Sequence, residues 1–316
     1  MSASGPQPVD RDSRGILDPW LLRQRVRLTR YPPGPVLAGL VDRFWAVRWD
    51  LPPGQQHRQQ VLTHPGANIS IGHASAAPGD RAAGPVEGRL NGVPRRLAER
   101  VLAGQGWGVA ALTTPGGLGA FVTGPAAQFT DRVVPLGQAV AVDEAGLLQQ
   151  VTAEPSEAAR VRLLAAALEQ ALHQVAEQDA GAGLIQAARE VTAAARLAET
   201  DRSVRRVADL AQATGVGVRT LQRMFGRHAG VSPAWVIRRY RLLEAAEAVR
   251  DGAPVSWAEV AAGLGYSDQA HLTRDFRAAI GRTPAEYAQS QQAQPSRQIQ
   301  QSRQAQAARP AAAAGP

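Results

Sequence analysis

The stretch LQRMFGRHAGVSP, Leu221–Pro233, returns fifty-one residues later as LTRDFRAAIGRTP, Leu272–Pro284, with Leu, Arg, Phe, Gly and Pro at the same five positions. A repeat of this kind constrains the fold strongly, because both copies must bury the same side chains in the same way. In the first copy Val207, Leu210 and Ala211 give a short apolar face, Gly215 permits a sharp turn, and a second helix over about Val218–His228 is buried through Leu221, Met224 and Phe225. The second copy repeats this with Val260 and Ala261, then Gly265, then Leu272 and Phe276. Two short helices joined by a tight glycine-containing turn form a helix-turn-helix. Ser256 and Asp268 suit helix N-caps. Gly230 and Gly281 suit the left-handed position that ends a helix, and Pro233 and Pro284 the first turn of the next one.

The shared Leu, Phe, Gly and Pro therefore have structural work, and the shared Arg does not. Arg223 and Arg274 each lie two residues after a buried Leu and two before a buried Phe, which points them outward. The helix that joins the copies starts at Ser232-Pro233 and ends near Asp251-Gly252. Roughly 17 residues at 1.5 Å each give a rod of about 25 Å. With side-to-side offsets, such a rod can hold two reading helices about one DNA turn, roughly 34 Å, apart.

The pattern LQRMF…G.SP, a long helix, then A..LGYSDQAHLTRDF…G.TPAEY closely resembles the C-terminal DNA-binding domain of the AraC/XylS family of bacterial transcription regulators. The resemblance covers about Leu184–Ala288. It implies that the first reading helix reaches base edges with Arg219, Gln222 and Arg223, and the second with Gln269, His271 and Arg274. Side-chain chemistry agrees, since Arg pairs with guanine O6 and N7 and Gln with adenine N6 and N7. Arg227, Arg238, Arg239, Thr273 and Arg277 are the candidates for phosphate contact, which positions without specifying. The implied partner is double-stranded DNA, with RNA polymerase and a small-molecule effector as further candidates; monomer and homodimer both stay open.

Charge fits this reading. All 35 basic residues are Arg, and the net charge is +8. Thr200–Gln289 holds thirteen Arg against nine Asp plus Glu, a net +4. That modest excess favours specific reading over bulk coating of DNA.

Upstream, residues 25–150 read as a β-rich domain. FWAVRWDL, Phe44–Leu51, alternates, as does ANISIGH with Ile69 and Ile71, and WGVAALTT, Trp107–Thr114, is a further strand. Pro/Gly turns between such short strands argue for a barrel or sandwich. YPPGPVLAGLVDRFWAVRWDLP, VLTHPGANISIG and GAFVTGPAAQFTDRVVPLGQA resemble an uncharacterised β-rich domain found before this DNA-binding module, which in the family commonly senses a small molecule or mediates dimerisation; a cupin-like barrel is the expected fold. Leu164, Leu168, Leu172 and Val175 form the stripe of an amphipathic helix in a helical linker over 156–183. The DNA-binding domain follows at 184–290. Residues 1–24 are expected to be a flexible arm and 291–316 a disordered tail. The whole is thus an α+β multidomain chain: a β-barrel or cupin-like domain, a helical linker, and an all-α domain with two helix-turn-helix motifs joined by a long helix.

Composition excludes some chemistry. The chain has no Cys, hence no disulfide, thiolate zinc site or cysteine nucleophile. DNA-repair alkyl-transfer proteins that share this DNA-binding module need such a cysteine. His57, His64 and His73 match no compact metal motif, and the sequence holds no nucleophile elbow, P-loop or dinucleotide fingerprint. No catalytic residue, metal or cofactor is expected. The alternatives kept open are an enzymatic N-terminal domain and a non-specific architectural binder. With no membrane-length apolar run and no signal-peptide pattern, a cytoplasmic protein is expected.

Overall fold

The computed structural model describes residues 14–77, 79–250 and 256–291. Strands come first: β1 (Val26–Tyr31), β2 (Val41–Asp50), β3 (Gln56–Val61), β4 (Asn68–His73), β5 (Val86–Asn91), β6 (Ala98–Ala103), β7 (Gln105–Thr113) and β8 (Val133–Pro135). Six of them form one antiparallel sheet in the order β1-β2-β7-β4-β5-β8, and β3 pairs with β6 in a separate ribbon. The β-rich region expected from the turn signals is therefore built as two sheets.

Register explains which side chains are buried. Phe44 sits opposite Ala111, Ala111 opposite Ile69, and Ile69 opposite Leu90, giving an apolar row across four strands. Ala46, Val109 and Ile71 make the next row. This face carries the helix α3 (Glu157–Ala176). Of its expected stripe, Leu164 and Leu168 are fully enclosed and Leu172 nearly so, while Val175 is half-buried. Arg160 of α3 lays its guanidinium 3.6 Å from the Trp107 ring centre, and Thr29 Oγ1 donates to Glu157 at 3.4 Å. The opposite face of β1 and β2 is also covered: Val26, Trp49 and Leu51 cluster with Ile16 and Leu22, and Leu102 of β6 packs on them. A strand buried on both sides cannot alternate cleanly between apolar and polar, which is why both Trp49 and Ala46 are enclosed in β2.

The chain ahead of β1 departs from the expected flexible arm. From residue 14 it is packed: Leu62 N donates to Gly15 O at 2.7 Å, Ile16 and Leu17 are buried, and α1 (Pro19–Arg25) follows. Apolar side chains at 16, 17 and 22 give this stretch enough surface to bury, which an average over its polar start conceals. Residues 1–13 of that arm, and the expected tail from residue 292 on, lie outside the described residues.

The helical part contains α2 (Glu144–Ala153), α3, α4 (Gly181–Thr200), α5 (Val207–Thr214), α6 (Val218–His228), α7 (Pro233–Arg250), α8 (Trp257–Gly263) and α9 (Gln269–Ile280). Backbone proximity groups the described residues into two units, one within Arg11–Leu243 and one from Glu244 on. The first unit holds both sheets and the α5–α6 pair. Their common neighbour is α4, which packs on α5, on α6 and on the turn Gly117–Ala120. The approach is close. A Cβ on Gly116 would stand 2.1 Å from Ala188 O, and the Thr114 and Thr192 hydroxyls lie 2.8 Å apart. No helix among the described residues is long and apolar enough to cross a membrane.

Candidate nucleic-acid interface

Both copies of the repeat build the motif expected of them. In the first, Asp209 opens α5 by accepting hydrogen bonds from the backbone N–H groups of Arg205 (2.9 Å) and Arg206 (2.8 Å), which hold its carboxyl below the ordinary range. Leu210 is buried, the chain turns at Gly215 with φ 68°, and α6 then buries Leu221, Phe225 and His228. The helix ends at Gly230, whose φ of 76° lies in the left-handed region, and Pro233 begins α7. In the second copy Ser256 caps α8 by accepting from Glu259 N, and Asp268 caps α9 by accepting from His271 N at 2.7 Å. That bond is the leading cause of the low Asp268 pKa. Leu272, Phe276 and Ile280 are buried, and Gly281 ends α9 at φ 79°.

The TPAEY ending has a local reason. Thr283 N donates to Glu286 at 2.7 Å and Glu286 N donates to Thr283 Oγ1 at 3.2 Å, a reciprocal capping box. Tyr287 then turns inward and its ring lies 5.8 Å from that of Phe276.

With Leu and Phe buried, the intervening arginines are forced out. Arg219, Gln222 and Arg223 are exposed on α6, and Gln269 and Arg274 on α9. Arg227 and Arg277, four and three residues further along, are exposed as well. Each helix thus carries a polar, cation-bearing ridge opposite its buried Leu/Phe stripe.

A helix-turn-helix domain family matches residues 210–290, and a domain family of unknown function, DUF6597, matches residues 29–135. The C-terminal part of this chain is an AraC-type helix-turn-helix domain. No curated protein matches the chain by sequence. Among solved structures, it is similar to the C-terminal domain of AraT, a response regulator from Geobacillus stearothermophilus, at 23% identity over 32% of this chain and 84% of that one, with a TM-score of 0.30. It is also similar to ToxT from Vibrio cholerae at 11% identity, over 84% of this chain and 98% of that one, with a TM-score of 0.38. A form of ToxT with bound unsaturated fatty acid gives 13% identity, 78% and 94% coverage and a TM-score of 0.37.

One of the residues assigned to the AraC-type domain from sequence is placed differently. Arg239, expected at a phosphate, is only 2% exposed. Its guanidinium lies 4.5 Å over the Trp235 ring and donates to the carbonyl oxygens of Arg95 (2.8 Å) and Pro94 (3.3 Å), and burial pushes its pKa down to about 10. Helical geometry gives the reason. Val236, Arg239, Tyr240 and Leu243 share one side of α7 and all are buried, while the adjacent Arg238 faces out. His271, expected to read a base, is engaged locally. Its Nδ1 lies 3.2 Å from Ser267 Oγ, its ring meets Tyr266 edge-on at 5.1 Å, and its Nε2 is 3.9 Å from the Asp275 carboxylate. Asp275 sits four residues after it, the spacing that brings helical side chains together, whereas Ser267 lies just ahead of the Asp268 cap, outside α9. Thr273 is half-buried.

Sequence reasoning also missed His228, which is 3% exposed at the end of α6 and faces the Gly119 turn. The signal was present: Leu221, Phe225 and His228 follow a helical stripe of four and three residues. Burial lowers its pKa. Of the other histidines considered, His57 Nε2 lies 3.1 Å from Gln59 Oε1 and His73 Nδ1 lies 2.7 Å from Gly84 O. Among the described residues no cluster of His, Asp and Glu is arranged to hold a metal.

Proposed function

We propose that this DNA-binding regulator recognises a specific duplex sequence through two half-readers, α6 with Arg219, Gln222 and Arg223, and α9 with Gln269 and Arg274. The observation that supports this most is the equivalence of the copies: Arg223 and Arg274 are each exposed two residues before a fully buried Phe. In this reading α7, continuous over 18 residues, is the spacer. One chain then supplies both half-readers, so a monomer suffices, and Arg227, Arg238 and Arg277 anchor the phosphates. His271 joins the readers when its ring turns away from Ser267 and Asp275.

The β-rich domain belongs to this reading as the part that takes a small-molecule effector. A groove of about 420 Å³ lies outside the strands, between α2 and α3, lined by Val142, Leu147, Leu163, Ala167 and Gln170. RNA polymerase is the further partner where the outcome is activation. The test is band-shift competition with the full chain. A labelled duplex selected from a random library should survive excess bulk DNA. Equal displacement by bulk DNA would reduce the protein to a non-specific binder.

A further inference from the structure

The far end of α6 is gripped from outside the helix-turn-helix. Thr130 Oγ1 donates to Gly230 O at 2.6 Å. A Cβ on Gly230 would lie 2.9 Å from Ala126 O, and one on Gly119 would lie 2.5 Å from His228 Nδ1. Neither glycine therefore tolerates a side chain unless the two surfaces separate. One element further on, the buried Arg239 guanidinium takes the carbonyls of Pro94 and Arg95. Arg95 in turn donates to Asp131 through its backbone N at 2.7 Å and its side chain at 2.6 Å, and Asp131 adjoins Thr130.

These segments are anchored in the large sheet. Asp131 N donates to Val93 O and Gly92 N to Arg132 O, immediately after β5, and β8 begins at Val133. The 92–95 and 117–132 stretches thus form a collar that runs from the β5–β8 edge to the C-terminal end of α6 and the first turns of α7. All of it lies within the Arg11–Leu243 unit. In helix-turn-helix proteins the N-terminal part of the recognition helix meets the bases. The collar holds the other end and leaves Arg219, Gln222 and Arg223 exposed. A grip of this shape aims the helix without covering it.

We infer that Thr130 and Arg239 are positioning residues for the first DNA-reading helix, through which the β-rich domain sets how α6 is presented to its half-site. The inference rests on α6 being a reading helix. Among the described residues a Cβ on Gly281, the counterpart of Gly230, meets nothing within 4 Å.

The experiment uses the full chain as Thr130→Val, which removes only the donor, and Arg239→Met, which keeps the stem and removes the fork; Thr130→Ser should restore the wild-type behaviour. Amide hydrogen exchange without DNA should speed up over 218–230 and stay unchanged in β4 and β7. Binding to a duplex selected by the unaltered chain should weaken by at least about fivefold, the lower range of ordinary coupling between sites. The loss should persist when the second half-site is scrambled and vanish when the first is. Unchanged exchange over 218–230, equal losses on both scrambled duplexes, or tighter binding would each overturn the inference, the last by making the collar a cover. Should selection yield no preferred duplex, DNA reading by α6 fails, and the exchange data alone decide whether the collar holds the helix.

Discussion

The paired glycines offer a direct check on how far the two copies have diverged. Gly230 and Gly281 occupy equivalent positions with φ of 76° and 79°. Replacing either by Ala places a Cβ in the left-handed region, at roughly 1–2 kcal/mol. Restricting the unfolded chain returns about 0.4–1 kcal/mol. At Gly281 the new methyl group meets nothing within 4 Å among the described residues, and the expected net loss is about 1 kcal/mol. At Gly230 the same methyl would lie 2.8 Å from Thr130 Oγ1 and 2.9 Å from Ala126 O, the latter a backbone atom with little freedom to retreat. Overpacking of this kind adds roughly 1–3 kcal/mol, which brings Gly230→Ala to about 3 kcal/mol. Hydrogen exchange at low urea concentrations, read separately over 218–230 and 269–281, measures both losses in one chain. Equal losses at the two sites would refute the steric reasoning at Gly230.

Three further outcomes are expected. Arg223→Ala and Arg274→Ala should each cost about 1–3 kcal/mol on a selected duplex and little on random DNA; matching losses on both would make these residues phosphate anchors. Leu168→Ala, at a fully enclosed site on α3, should cost about 2–5 kcal/mol in urea denaturation, and a loss under 1 kcal/mol would place the stripe outside the core. His64 has its Nε2 sealed from solvent without a partner, and burial together with nearby Arg43, Arg14, Arg30 and Arg239 pushes its pKa from 6.5 down to about 3. In that window the unfolded chain holds a proton the folded chain lacks. Stability should therefore fall on acidification, by at most about 1.4 kcal/mol per pH unit from this group. Denaturation midpoints between pH 7 and 4, on the order of where the window lies, should flatten in His64→Gln, and an unaltered acid limb would contradict this.

Much of the helical architecture was legible because its signals are local. The N-caps at Ser256 and Asp268, the left-handed glycines and the Leu/Phe stripe each depend on neighbours within four residues, and the structure places them where the pattern does. The stripe on α3 was legible for the same reason. The ribbon of β3 and β6 was not, because QHRQQV carries almost no apolar alternation; it is a strand through its register with AERVLA, far along the chain. Arg239 was misplaced because its residue type suggests phosphate, whereas the burial of Val236, Tyr240 and Leu243 on its side of α7 decides its position. The collar around α6 could not be read at all. Thr130, Gly119 and Pro94 acquire their roles only when the β5–β8 edge and α6 meet, and no periodicity records such a meeting. The domain boundary expected after residue 150 is not a break in packing, since the first unit continues to Leu243.

The central claim is that two equivalent helices of one chain read DNA sequence. Selection of duplexes from a random library by the full chain, followed by footprinting, tests it most directly. Two conserved half-sites about one helical turn, roughly 10 base pairs, apart are predicted, with Arg223→Ala relaxing the sequence of one and Arg274→Ala that of the other. A single half-site, or no enriched sequence at all, would contradict the account.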